Sequence, residues 1–152
     1  MTKNRIYKIA SIIFIIDQLI KFFVDKCVVV GTRKVVIKNF FSIYYLKNTG
    51  AAFSILENNS LLLVIISIFI LIFFYFNIRK ENSFKKILIF SYGFILGGIL
   101  GNLVDRLFRH AVIDYLSFNF SNYYFPVFNV ADVFIVLGIS ILIIDIFNTR
   151  SC

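Results

Sequence analysis

Four apolar runs alternate with polar segments along this 152-residue chain. They are Tyr7–Val24, Leu61–Phe76 (extendable to Ile78), Ile87–Val104 and Ala131–Phe147. As helices of about 16–18 residues each would rise roughly 24–27 Å, near the thickness of a bilayer's hydrocarbon core. The second and third runs carry no charge, and the pattern predicts spanning helices. The first follows Lys3, Arg5 and Lys8, as the apolar part of a secretory signal does. Asp17-Gln18 then stands where a small-residue cleavage site would be needed, so this run is read as a retained helix.

The outer segments have a different period. Val28–Val30, Val35–Ile37 and Phe40–Leu46 are β-branched and aromatic, separated by Gly31-Thr32 and Lys38-Asn39. They predict short strands in a small antiparallel sheet at the membrane surface. Asn48-Thr49-Gly50 predicts a turn, and Ala51–Leu56 a short interfacial helix. Composition agrees with a membrane protein: 60% of residues are apolar and the mean hydropathy is +0.89. No linker divides the chain, so residues 1–152 are expected to form a single domain.

The formal charge of +8 is explained by membrane orientation and attraction to anionic headgroups, without a nucleic-acid partner. Basic residues divide evenly between the two sides of a four-span layout, so density near short loops decides. Arg79–Lys86 holds four basic side chains in eight residues, and the N-terminus is similarly dense. Both termini are therefore expected in the cytoplasm. The connections Asp25–Ser60 and Asp105–Val130 then meet on the outer face, with Asp105 ending the third helix and Asp132 starting the fourth. Cys27 and Cys152 show no metal or redox spacing, and His110 is the only histidine.

The acids are few and grouped. Gly93, Gly97 and Gly101 recur every four residues on the third helix, with Gly98 beside them. Small residues at this spacing let helix backbones approach closely in a membrane. Asp105 continues the stripe into the bundle, with Arg109 one turn on as a partner; a packing groove ending in an ion pair explains the same residues. Asp17 and Lys21 can neutralise each other across one turn, either as a structural anchor or near the chemistry. With Asn129 as N-cap, Asp132 falls at N3, where the helix dipole favours negative charge, and a capping role alone would account for both. Asp114, in Val112-Ile113-Asp114-Tyr115-Leu116, is flanked by aliphatics that can raise a carboxyl pKa. Two carboxylates in unlike environments form an acid–base pair that needs no histidine, metal or nucleophilic serine. No spacing specifies Ser54 with Lys47 as a dyad.

The ordered blocks resemble the lipoprotein signal peptidases (signal peptidase II). Asp17-Gln18-Leu19-Ile20-Lys21 is similar to the family's first-helix block, and Asn48-Thr49-Gly50-Ala51-Ala52-Phe53-Ser54 to its Asn-x-Gly-Ala-Ala-Phe-Ser motif. Gly97–Arg106 with Val112–Tyr115, and Phe125–Asp132, are similar to the remaining two. Val133 stands where the family most often has Ser, and Ile113-Asp114-Tyr115 where it has Val-Asp-Phe.

The resemblance implies four transmembrane helices, an outer β-cradle and a short outer helix in a bacterial cytoplasmic membrane. It implies Asp114 and Asp132 as the catalytic pair, with Asn48, Asn102, Asp105, Arg106 and Asn129 supporting the site or contacting substrate; Gly50, Asp17 and Lys21, within the matching blocks, are expected to support the site beside them. It also implies a diacylglyceryl-prolipoprotein substrate cleaved just before the lipidated cysteine, inhibition by globomycin, and no cofactor. A monomer in contact with membrane lipid is expected, with its active site at the outer face. In the expected mechanism Asp132 polarises water and Asp114 donates to the carbonyl. The alternative is a small four-helix transporter, which would place its acids near the midplane.

Overall fold

The computed structural model describes residues 2–50, 59–81, 83–120 and 123–150. Four long helices carry the chain: α1 (Thr2–Cys27), α2 (Ser60–Lys80), α3 (Lys86–Arg109) and α4 (Val130–Arg150). Between them run β1 (Arg33–Ile37), β2 (Phe41–Asn48), β3 (Val112–Phe120) and β4 (Tyr123–Tyr124). The helix expected over Ala51–Leu56 lies outside the described residues, as does Cys152.

Among the described residues α2, α3 and α4 are long and apolar enough to cross a membrane. α1 matches them in length but carries Lys8, Asp17 and Lys21 within its apolar run. Side chains such as Phe69, Phe73, Phe76, Val136 and Phe147 lie more than half exposed along the bundle. Lipid, not water, is the solvent such surfaces suit.

α3 is the central helix. Some 61% of its apolar stretch is buried within the molecule, against 22% for that of α2 and 11% for that of α4. Its glycines make this possible. A Cβ on Gly97 would lie 2.7 Å from the Ala10 carbonyl oxygen, and one on Gly98 2.5 Å from that of Ala131. Adjacent glycines thus admit α1 on one side and α4 on the other, at backbone contact. The apolar core at the far end of the bundle is built from Ile6, Ala10, Phe74, Ile78, Ile95 and Ile99, among others.

The strands form an antiparallel sheet in the order β1-β2-β3-β4. Pairing of β2 with β3 brings the two long connections together at one end of the bundle, as the chain's patterning predicts. Between Ile43↔Leu116 and Leu46↔Asp114, β2 holds one more residue than β3, a β-bulge. A second core of Val24, Tyr45, Ile113 and Tyr115 joins the end of α1 to this sheet.

Two boundaries differ from those the sequence suggests. Val28–Val30 is not a strand. α1 runs on to Cys27, and a Thr32 N–H to Val29 carbonyl bond then closes a turn in which Gly31 has φ 79°. The sheet begins only at Arg33. Similarly, Asp105 does not end α3, because Asp105, Arg106 and Arg109 find partners within the fold and the helix accommodates them. It stops at His110, which takes the left-handed conformation at φ 60°.

Overpacking a membrane helix contact costs about 1–3 kcal/mol. Gly97→Leu is therefore expected to lower the thermal melting point of the detergent-solubilised protein, read by intrinsic fluorescence, with α1 separating from α3.

Candidate active site

At the sheet end of the bundle, Asp114 on β3 and Asp132 in the first turn of α4 line one cleft of about 550 Å³. Asn48, Asn102 and Arg106 supply its other polar atoms. Phe125–Phe128, Val133 and Ile135–Leu137 make most of the wall apolar.

Each carboxylate is held by amides. Asp114, only 2% exposed, accepts from Asn48 Nδ2 at 2.8 Å and from Asn129 Nδ2 at 2.7 Å. Asp132 accepts from Asn102 Nδ2 at 2.8 Å and from the Asn129 backbone N–H at 3.1 Å. The Asp132 N–H returns a bond of 3.0 Å to Asn129 Oδ1. This is the reciprocal capping box expected of Asn129 and Asp132. Asn129 thus touches both acids, with its side chain on one and its backbone on the other. Burial, and then the nearby Asp132 charge, push the Asp114 carboxyl up from 3.8 to about 7, against the opposing effect of its two amide donors.

Behind the acids lies a buried ionic cluster. The Lys21 ammonium has three protons and three acceptors: Asp17 Oδ2 at 2.8 Å, Asp105 Oδ2 at 2.8 Å and Asn102 Oδ1 at 2.9 Å. Arg109 pairs with Asp105 as the one-turn spacing predicts, so two cations balance two carboxylates.

The cluster also holds the backbone. Asp105 Oδ2 accepts the Ile113 N–H at 3.3 Å, and Asp17 Oδ1 accepts the Ala131 N–H at 3.2 Å. Each bond grips the residue immediately preceding a cleft acid. Asn102 completes the link. Its Oδ1 is taken by Lys21 and by Asn129 Nδ2 at 3.1 Å, so its own amide hydrogens face Asp132.

The site residues named from sequence are all brought to this end. Asn48, Asn102, Arg106, Asp114 and Asp132 line the cleft, and Asn129 bridges its acids. Asp17, Lys21 and Asp105 stand behind, all fully buried. The Gly50 N–H closes a turn on Asn48 Oδ1 at 2.9 Å, and its carbonyl accepts from Arg106 Nη2 at 3.2 Å. Sequence reasoning missed Gln18 as a site residue. It donates to the Gly101 carbonyl and to Asp105, and accepts from Arg109 at 3.0 Å. Its place beside Asp17 was the available signal. Tyr115 was also missed; its hydroxyl accepts the Val130 N–H at 3.4 Å.

The fold and this cleft together define a multi-pass membrane protein with a pair of acids over an apolar groove at one end of its bundle. Comparison with known proteins gives the family. The family model described as signal peptidase (SPase) II matches residues 9–148. The chain is 42% identical over 135 residues to the lipoprotein signal peptidase of Clostridium tetani, covering 87% of this chain and 85% of that protein. It is 36% identical over 157 residues to the lipoprotein signal peptidase of Rickettsia conorii, covering 99% of this chain and 76% of that one. A solved bacterial membrane enzyme superimposes with a TM-score of 0.87 at 31% identity, over 94% of this chain and 87% of the other. The chain belongs to the signal peptidase II family, and is a membrane protease of bacterial type.

Two outcomes follow from this geometry. Removing one partner of a buried ionic cluster costs about 3–5 kcal/mol, so Lys21→Met is expected to destabilise the protein by that order in a detergent melting series. The second concerns pH. Between the ordinary aspartate value of 3.8 and about 7, the folded protein holds a proton on Asp114 that the unfolded chain has released. This contribution to stability is full on the acid side and is lost as the pH rises through about 7. In Asp114→Asn, melting curves across that range should lack this component of the slope.

Proposed function

We propose that this protein is an aspartic endopeptidase that removes signal peptides from prolipoproteins, cutting just before a diacylglyceryl-modified cysteine. The observation that carries the reading is the Asp114–Asp132 pair, tied through Asn129 and set over an apolar cleft. Family membership and relatives named lipoprotein signal peptidase supply the substrate class. A carrier with acids at the bilayer midplane fits less well, because Asp17, Asp105, Asp114 and Asp132 all gather at one end of the bundle.

In this reading residues 1–152 act as one monomeric membrane domain. α1 is a fourth crossing whose intramembrane charges are neutralised within the protein. Both termini lie in the cytoplasm, and the cleft opens at the outer face of the bacterial cytoplasmic membrane. The substrate's acyl chains then stay in lipid while its peptide bond reaches water.

Asp132 acts as the anion and Asp114 as the acid, in keeping with the raised pKa of Asp114. Water gives a proton to Asp132 as its oxygen attacks the scissile carbonyl carbon. Asp114 passes its own proton to the carbonyl oxygen. Collapse of the tetrahedral diol breaks the C–N bond; Asp132 returns its proton to the leaving nitrogen, and Asp114 recovers one from the hydroxyl.

The purified protein is expected to cleave a diacylglyceryl lipobox peptide and to be inhibited by globomycin. Asp114→Asn and Asp132→Asn should each lose about 10²–10⁴-fold in rate, the usual reach of a positioned acid or base. Size-exclusion chromatography checks that both variants remain folded. Undiminished turnover by either folded variant would refute the pair.

A further inference from the structure

A second concavity, of about 610 Å³, lies toward the opposite end of the bundle from the cleft, between α1 and α2 and floored by Leu96 and Leu100 of α3. On α1 its wall runs through Tyr7, Ser11 and Phe14; on α2 it runs through Ile72, Tyr75 and Phe76. These are helix-face spacings. One turn beyond Tyr7 on the same face of α1 stands Lys3, and one turn beyond Tyr75 on the same face of α2 stands Arg79. The two meet, since Lys3 Nζ donates to the Arg79 carbonyl at 2.9 Å.

The apolar groove therefore ends at a basic gate. Lys8, three residues before Ser11, and Lys80, four residues after Phe76, are exposed on the same helix faces. Among the described residues the only ion pair at this end joins Lys85 to Asp145, so Lys3, Lys8, Arg79 and Lys80 form no ion pair.

We propose that this groove binds a single anionic phospholipid from the leaflet on the side of the chain termini. An acyl chain lies between α1 and α2, and the headgroup phosphate sits between Lys3 and Arg79. Both halves of the site match the two halves of that molecule. Basic pockets between transmembrane helices take anionic headgroups, and Tyr7 and Tyr75 each stand one turn inside a gate cation, the order in which aromatic rings and basic side chains meet a headgroup boundary. A partner helix fits less well. An apolar crossing helix would cover these cations without supplying an anion to pair with them. A second copy of this chain would bring a like-charged end against the same gate.

The test uses the full chain, stripped of lipid in detergent and titrated with phosphatidylglycerol or phosphatidylcholine, with bound lipid counted by native mass spectrometry. Phosphatidylglycerol should be retained and phosphatidylcholine should not. Lys3→Gln and Arg79→Gln should each weaken retention about five-fold, and the double variant about 25-fold. Ser11→Trp keeps the charges but fills the groove, and should block retention independently of the gate. Equal retention of the two lipids, unchanged phosphatidylglycerol retention in the double variant or in Ser11→Trp, or a dimer mass in place of bound lipid would overturn the proposal. Peptide cleavage by these variants should stay at the unmodified protein's level, because they lie at the other end of the bundle.

Discussion

The structure turns on one ammonium group. Lys21 is buried among three oxygens, and through them it reaches both acids of the cleft. Asp105 carries the connection to β3 and Asp17 carries it to α4, in each case through the backbone N–H just before the cleft acid. Asn102 carries a third connection, from Lys21 Nζ to the Asp132 carboxylate. An isolated charge at this depth would be costly. A saturated cluster with balanced charge is tolerable, and it fixes how strand and helix stand relative to each other.

That cluster needs room, and the glycines of α3 provide it. A Cβ on Gly101 would lie 2.3 Å from Asp17 Oδ2. The same close approach that lets α1 pack on α3 therefore also gives the carboxylate its place. Packing stripe and ionic cluster are one design seen at two heights of the helix. Asp145, by contrast, belongs to the other end of α4, where it pairs with Lys85 at 2.9 Å on the bundle's rim.

Much of this was legible in the sequence because it depends on local spacing. The four apolar runs, the Asn129–Asp132 cap, the Asp17–Lys21 and Asp105–Arg109 turns, and the burial of Asp105 all follow from helix geometry over a few residues. What local spacing could not show is which oxygens share the Lys21 protons, since Asp105 comes from another helix. The apolar cleft wall escaped for a related reason: Ile135, Val136 and Leu137 look like ordinary lipid-facing residues of a spanning helix. Val28–Val30 had the composition of a strand, but a helix already in progress overrode it. The end of α3 was misplaced because charges that normally mark an interface are here satisfied inside the fold.

The bulge in β2 carries a chemical consequence. From Ile43 onward, an unbulged strand would bring Lys47 opposite Val112, where Asn48 now stands. A slip of one residue exchanges the two faces of a strand. Asn48 would turn away, and the ammonium of Lys47, which now faces outward, would take its place diagonal to Asp114. A cation there favours the ionised carboxylate and would oppose the proton that burial keeps on Asp114. The number of residues in this strand is thus itself an acid–base setting: one residue fewer, with no change of side chain in the cleft acids, would leave a different pair.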